Sequence, residues 1–287
     1  MYIRLSLAIL ICAVFIVGDL PAACAGENEP VGGWTNEVVG SLNLTQAGFD
    51  NWAQGGENTL GWQTSLGGKF VSTGTGHEWV NAIKLAYGMT KVGDEDARKS
   101  VDEIRIESVF TYKAGFYVDP YVATTAETQF STGHEYTDSS RTAISDFLDP
   151  GYFTQSTGIG RVFNDVIRSR LGASIKETVT DKYPVPYADD PDTPDEIEDI
   201  KVEVGAESVT DLSLKISDDL TFDSKLELFS NLKATNEIDV RWDNLLTAKI
   251  EEYLSVTLNV KVFYDSDISR SRQIKEALAI GLTYRLM

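Results

Sequence analysis

From Glu198 to the C-terminus the chain reads as about five consecutive two-faced strands, each roughly ten or more residues long, parted alternately by tight turns and longer loops. Leu220, Phe222, Leu226, Leu228 and Leu232 form one face of the second of these, and Thr221, Asp223, Lys225, Glu227 and Asn231 the other. The next segment sets Ile238, Val240, Trp242, Leu246 and Ile250 against Asp239, Arg241, Asp243, Thr247 and Lys249. After it, Leu254, Val256, Leu258, Val260, Val262 and Tyr264 run opposite Ser255, Thr257, Asn259 and Lys261. Such strands need an apolar medium on one side and water on the other. A sheet closed on itself in a bilayer supplies both and leaves no unpaired edge. A soluble sandwich would need a second sheet to cover the same apolar face.

The pattern extends upstream, with strands expected at Asn36 to Gln46, Thr59 to Val71, Glu78 to Lys91, Val101 to Ala114, Phe116 to Phe130, Phe153 to Phe163 and Val166 to Thr180. The expected fold is therefore all-β, a single antiparallel transmembrane β-barrel of about twelve strands occupying residues 26–287. Connection lengths agree with the sorting of periplasmic turns from outer loops. Short links fall at Ser72 to Gly76, Ala114 and Gly115, Asn164 and Asp165, Asp218, and Glu252. Longer ones fall between them, at Ala47 to Asn58, Val92 to Ser100, Ser131 to Tyr152, Asp181 to Ile197, Lys233 to Thr235 and Asp265 to Gln273. Both termini then lie in the periplasm. Trp79, Tyr87, Tyr112, Phe116, Phe130, Tyr264 and Tyr284 cluster outward near strand ends, as interfacial girdles require.

The N-terminus carries Arg4, an apolar run from Leu5 to Gly18, and Ala23 and Ala25 around Cys24, which together predict a cleavable secretory signal over residues 1–25. The apolar run is about fourteen residues, too short for the roughly twenty that a membrane-spanning helix needs. Cys12 and Cys24 are the only cysteines and lie inside that signal, so the mature chain has neither disulfide nor thiolate metal site. A formal charge of −19 argues against nucleic acid as a partner. The expected location is the outer membrane of a Gram-negative-type envelope, with its lipid and the barrel-assembly machinery as partners.

Leu278, Ile280, Leu282, Tyr284 and Leu286 share one face of the final strand, which resembles the C-terminal assembly signal of outer-membrane proteins, although the chain ends on Met287 rather than an aromatic residue. Near the other end, Leu42, Asn43, Gln46, Phe49, Asn51, Trp52, Gly55, Gly56 and Asn58 lie within the stretch LNLTQAGFDNWAQGGEN. It resembles the signature of the bacterial family called domain of unknown function 3078, whose members look like exported barrels. That resemblance implies a fold and no activity. Asn43 is expected to face the lumen, and Phe49 and Trp52 to fold a loop over the barrel mouth, with Gly55 and Gly56 free to take positive backbone dihedrals.

Catalysis has little support, and no cofactor or metal site is expected. His77 and His134 are the only histidines and are expected at opposite ends of the barrel. The nearest thing to a hydrolase constellation is His134 with Ser131, Glu135 or Asp138, and no motif spacing supports it. The segment from Asp181 to Asp199 is rich in carboxylates and prolines and reads as an acidic outer loop with, at most, weak calcium affinity. The lumen holds the remaining functional interest. Its expected lining carries both signs: Glu78, Lys84, Arg105, Glu107, Lys113, Asp119, Glu127, Arg168, Arg170, Lys176, Lys201, Glu203, Glu207, Lys225, Glu227, Arg241 and Lys249. Two functions stay open. These charges either form a hydrated field across a pore for a small polar solute, or pair with one another and fill a non-conducting barrel that serves the envelope or a partner.

Overall fold

The computed structural model describes residues 33–48, 57–137, 140–189, 197–233, 238–265 and 269–286; the expected signal segment lies outside them. In chain order the strands are β1 (Gly33–Ala47), β2 (Thr59–Thr73), β3 (His77–Val92), β4 (Arg98–Tyr112), β5 (Asp119–Thr128), β6 (Gly133–Tyr136) and β7 (Arg141–Ser145). There follow β8 (Gly151–Phe163), β9 (Ile167–Val179), β10 (Ile200–Ser217), β11 (Leu220–Asn231), β12 (Ile238–Lys249), β13 (Leu254–Asp265) and β14 (Ser269–Arg285). A four-residue helical turn, Pro184–Tyr187, precedes β10.

Twelve strands close into one barrel in the order β1-β14-β13-β12-β11-β10-β9-β8-β5-β4-β3-β2, while β6 and β7 form a separate hairpin within the β5–β8 connection. Every pairing is antiparallel between neighbours, and β1 closes on β14 from Val39↔Arg285 to Leu44↔Ile280. The expected architecture is the observed one.

Side-chain parity explains why the sheet closes this way. The described residues bury very few apolar side chains, namely Ala86, Tyr121, Ala123, Ala188 and Val209, whereas Leu278, Ile280 and Leu282 are 69%, 58% and 58% exposed on the outside. A water-soluble fold has the opposite distribution. Here the interior holds Glu103, Glu107, Ser156, Ser174, Glu203 and Glu207, all buried. Aromatic pairs mark two heights on the outer wall. Trp34–Trp79 and Tyr253–Tyr284 lie at the turn end, with ring centroids 5.8 and 5.7 Å apart, and Trp62–Tyr87 and Tyr87–Phe130 at the loop end, at 6.0 and 6.4 Å.

The tight turns follow local chemistry. Asn164 and Asp165 join β8 to β9 with φ of 51° and 57°, a left-handed pair that short polar side chains tolerate better than other non-glycine residues. Several expected boundaries need correction: β1 starts at Gly33 rather than Asn36, β8 starts at Gly151 rather than Phe153, and the connection expected from Ser131 to Tyr152 holds β6 and β7. β5 starts at Asp119 rather than Phe116, because Gly115 is left-handed (φ 75°) and residues 115–118 bend before the strand begins. β4 starts at Arg98, so the connection before it is shorter than Val92 to Ser100. The loop expected from Asp265 to Gln273 is largely strand, since β13–β14 pairing runs up to Phe263↔Gln273 and Asp265↔Ser269. Ladder hydrogen bonds join backbones, so Ser269–Arg272 can pair without any apolar alternation to announce it.

A charge-crossed lumen as candidate functional site

Each expected lumenal residue stands on the inward face of its strand or of an adjoining turn, because successive side chains alternate and register fixes every row together. Two cavities occupy the interior. One, of about 710 Å³, opens toward the turns and is lined by Glu78, Lys113, Asp119, Arg168 and Lys225 among others. The second, of about 780 Å³, opens toward the loops and is lined by Glu127, Tyr152, Lys176, Tyr187, Phe229, Asp265 and Lys275 among others. Lys84, Arg105, Arg170, Glu227, Arg241 and Asp243 line both. Glu107 belongs to the turn-side cavity. Lys201 and Lys249 share the inward face but stand at the loop and turn rims, outside both cavities; Glu203 is buried beside Lys176.

Between the cavities, ion pairs cross the lumen. Arg105 and Glu107 on β4 pair with Glu227 and Lys225 on β11, and Glu127 on β5 pairs with Arg241 on β12. Lys84 on β3 reaches Asp243 on β12 at 3.2 Å, and Glu103 on β4 reaches Lys261 on β13 at 2.8 Å. These partners sit five places apart around the twelve-strand ring, so the bonds span the barrel rather than follow its wall. Arg105 also bonds Glu127 at 2.9 Å, and Arg170 bonds Glu107 at 2.6 Å while approaching Glu207 at 3.6 Å. Six cations (Lys84, Arg105, Arg170, Lys225, Arg241 and Lys261) thus face six anions (Glu103, Glu107, Glu127, Glu207, Glu227 and Asp243). Such compensation lets so many charges leave bulk water together.

Separate clusters flank this septum. Toward the turns, Glu78 binds Arg168 and lies 3.8 Å from Lys113. Toward the loops, Lys176 meets Asp239 at 2.8 Å, Asp265 at 3.3 Å and Glu203 at 3.7 Å. Asp239, Asp243 and Lys261 belong to the polar faces read from the sequence, whereas Glu103, Asp265 and Lys275 are lumenal participants that reading did not name. Strand parity could have found them, since each lies an even number of residues from a residue that was included or from a polar face-mate.

Glycines bring lumenal side chains close to the wall. Gly158 and Gly172 pair directly across β8 and β9, and a Cβ on Gly172 would come 2.2 Å from the Thr157 carbonyl oxygen and 2.6 Å from the Tyr121 hydroxyl. Asn43 lies over Gly281 at the closing seam in the same manner, so this residue of the family signature faces the lumen as expected. Leu42 pairs with Leu282 on the outer face, Gln46 pairs with Leu60, and Asn58 accepts the Gly93 amide at 2.7 Å. Phe49, Asn51, Trp52, Gly55 and Gly56 lie outside the described residues.

At the loop end, the Asp149 carboxylate accepts backbone N–H groups from Asp181, Lys182 and Tyr183 at 3.1, 2.8 and 3.3 Å, tying the β9–β10 connection to the β5–β8 connection. Beside it, Lys182 pairs with Asp146 at 3.2 Å. The Phe147 backbone N–H, followed by Lys182, holds the Asp146 carboxyl below its usual range, and Asp146 raises Lys182 in return. Burial, followed by nearby Asp149, pushes the Tyr187 hydroxyl up where it lines the loop-side cavity. His77 stacks on Phe110 at the turn end and His134 lies in β6 at the loop end, so the fold does not bring the histidines together.

No curated protein sequence matches the chain. Among solved structures, it is similar to the translocator domain of the autotransporter NalP from Neisseria meningitidis (9% identity, 88% of each chain covered, TM-score 0.40). It is also similar to an outer membrane channel from Pseudomonas putida F1 (11% identity, 90% of this chain and 96% of that one, TM-score 0.39). A third likeness is to the beta domain of the Bordetella autotransporter BrkA (11% identity, 87% and 98% covered, TM-score 0.32). Residues 44–134, from the end of β1 into β6, match the model of the family described as protein of unknown function (DUF3078), the same family whose signature residues 42–58 resemble.

Proposed function

We propose that the protein spans the outer membrane as a β-barrel that does not conduct at rest, its lumen divided at mid-height by a septum of ion pairs. The observation that carries this reading is the set of cross-lumen pairs from β4 to β11 and from β5 to β12. A hydrated pore would leave such side chains apart, each solvated along its own wall. The outward apolar rows and the two aromatic heights support the membrane location, and the C-terminal row from Leu278 to Leu286 supports recognition by the assembly machinery. In this reading the loop-side cavity of about 780 Å³ serves as a binding chamber, a size suited to a small ligand.

A second reading is a gated channel for a small polar solute. It is favoured by the way the two cavities abut at the septum, sharing Arg105, Glu227 and Arg241. Breaking the pairs would join the cavities into one path. Planar-bilayer recording separates the two readings. The resting barrel is expected to seal tightly at all voltages, and Arg105→Ala with Arg241→Ala to give discrete conductance. Steady conductance from the unaltered protein would overturn the closed reading. Heat-modifiable migration in mild detergent and fractionation with the outer membrane test the location.

A further inference from the structure

Arg161 on β8 stands apart from the ion pairs of the lumen. The chain there borders the turn-side cavity, but the side chain leaves on the opposite face. Ser156 of the same strand donates inward to the buried Glu207, and alternation then turns Arg161 outward together with Ile159 and Phe163, which are 50% and 43% exposed. The guanidinium lies over two rings, its carbon 3.3 Å from the Tyr117 centroid and 4.9 Å from that of Phe163. Among the described residues it has no carboxylate partner, and its Nη1 is buried without a hydrogen bond. The segments beside it at this end, namely the β4–β5 turn, the β8–β9 turn and β10, all belong to those residues.

Its surroundings are those of a membrane boundary. β8 ends at Phe163, one outward step beyond Arg161, and Ile159 and Leu171 stand exposed on the side toward mid-barrel. In the same transverse row Arg161 pairs with Ser169 and Ser169 with Thr210, whose hydroxyl oxygens are 3.0 Å apart. One hydroxyl hydrogen makes that bond and the other remains to donate. A ring over a guanidinium covers its face and takes none of the N–H groups in its plane. The row thus presents a cation and an unused hydroxyl on the wall that meets lipid, which costs free energy unless an anion accepts from them.

We propose that Arg161, Ser169 and Thr210, flanked by Tyr117 and Phe163, hold the phosphate diester of one phospholipid in the leaflet at the turn end. The two unesterified oxygens of the phosphate match the guanidinium fork. The acyl chains lie along Ile159 and Leu171, so the ligand is a lipid rather than free phosphate. This site rests on the barrel spanning a membrane, and its test keeps the two apart.

The full chain is refolded into phosphatidylcholine vesicles, and heat-modifiable migration reports insertion. A chain that does not insert refutes the spanning barrel and the site with it, whereas inserted protein that fails the binding test refutes the site alone. Binding is read by native mass spectrometry from maltoside micelles, which contain no phosphate, on adding dioleoyl phosphatidylglycerol or dioleoylglycerol. The unaltered protein should retain one phosphatidylglycerol, and Arg161→Gln should need about tenfold more of it, the loss expected for one charge-assisted contact. Dioleoylglycerol should bind both alike. Arg161→Lys should fall between them, since an ammonium keeps the charge and lacks the fork. Tyr117→Leu should weaken the phospholipid about threefold, because the guanidinium loses the ring that orients it. Should Arg161→Gln not fold, Arg161→Lys and Tyr117→Leu carry the same comparison. Excess inorganic phosphate should leave the lipid bound. Phosphatidylglycerol retention indifferent to these substitutions, an equal loss of both lipids, or displacement of the lipid by inorganic phosphate would each overturn the site.

Discussion

Arg105 on β4 and Glu227 on β11 form an ion pair across the lumen from nearly opposite walls, with side chains only 13% and 19% exposed. Removing one partner strands the other among charges that no longer balance. Arg105→Ala should destabilise the barrel by about 3 kcal/mol in reversible urea unfolding from vesicles, the range found when one member of a buried pair is deleted. Adding Glu227→Gln should recover part of that loss, and a double-mutant cycle should give a coupling of roughly 1 to 3 kcal/mol. Strict additivity would mean that the two side chains do not interact in the folded barrel.

Neighbouring residues on β13 test the inside–outside register. Leu258 is on the outer face, whereas Asn259 lines both cavities and donates to Asp243 at 2.6 Å. Leu258→Arg should cost roughly 2 to 4 kcal/mol because the charge meets hydrocarbon near mid-bilayer. Asn259→Arg should cost far less, since its guanidinium enters a hydrated chamber beside a carboxylate. Reversal of that order would require a one-residue slip, which exchanges the two faces of a strand.

Gly172 tests the close approach at the β8–β9 seam. A side chain there meets the Thr157 carbonyl at 2.2 Å, a backbone atom that cannot swing aside. Gly172→Val should therefore destabilise by about 1 to 3 kcal/mol, the usual cost of overfilling a packed site. Gly40→Val is the control, because its nearest neighbour is the flexible Leu286 side chain at 3.9 Å. Equal tolerance of the two substitutions would show that the β8 backbone at Thr157 does not approach Gly172 this closely.

The loop-end pair Asp146–Lys182 should make anchoring of the β9–β10 connection depend on pH. The folded Asp146 carboxyl sits below its usual value, so its contribution is present above about pH 4 and is lost as pH falls through the lowered value. Lys182 is raised, so its contribution is present below the ordinary lysine range and is lost only as pH climbs through the raised value. Protease cleavage within residues 181–189 should stay slow between those limits and accelerate outside them, with Asp146→Asn removing the acid limb. A cleavage rate that ignores pH in the unaltered protein would show that the pair does not hold the loop.

Much of this barrel was legible in the sequence because a strand's side chains alternate with a period of two. Leu254 to Tyr264 against Ser255 to Lys261 announces which residues meet lipid and which the lumen, and Asn164-Asp165 announces a turn, from local chemistry alone. The pairing of charges was not legible. Parity puts Arg105, Glu127, Glu227 and Arg241 inside without saying whether they lie along the walls or meet across the centre. That outcome follows from the order in which twelve strands close, which brings β4 and β5 opposite β11 and β12, residues more than a hundred positions away in the chain. The extension of β14 back to Ser269 was equally hidden. It depends on which backbone groups find partners, and a backbone hydrogen bond leaves no mark on side-chain pattern. Local alternation thus determined the faces of the strands it marks, and closure of the tertiary structure decided what those faces do to one another.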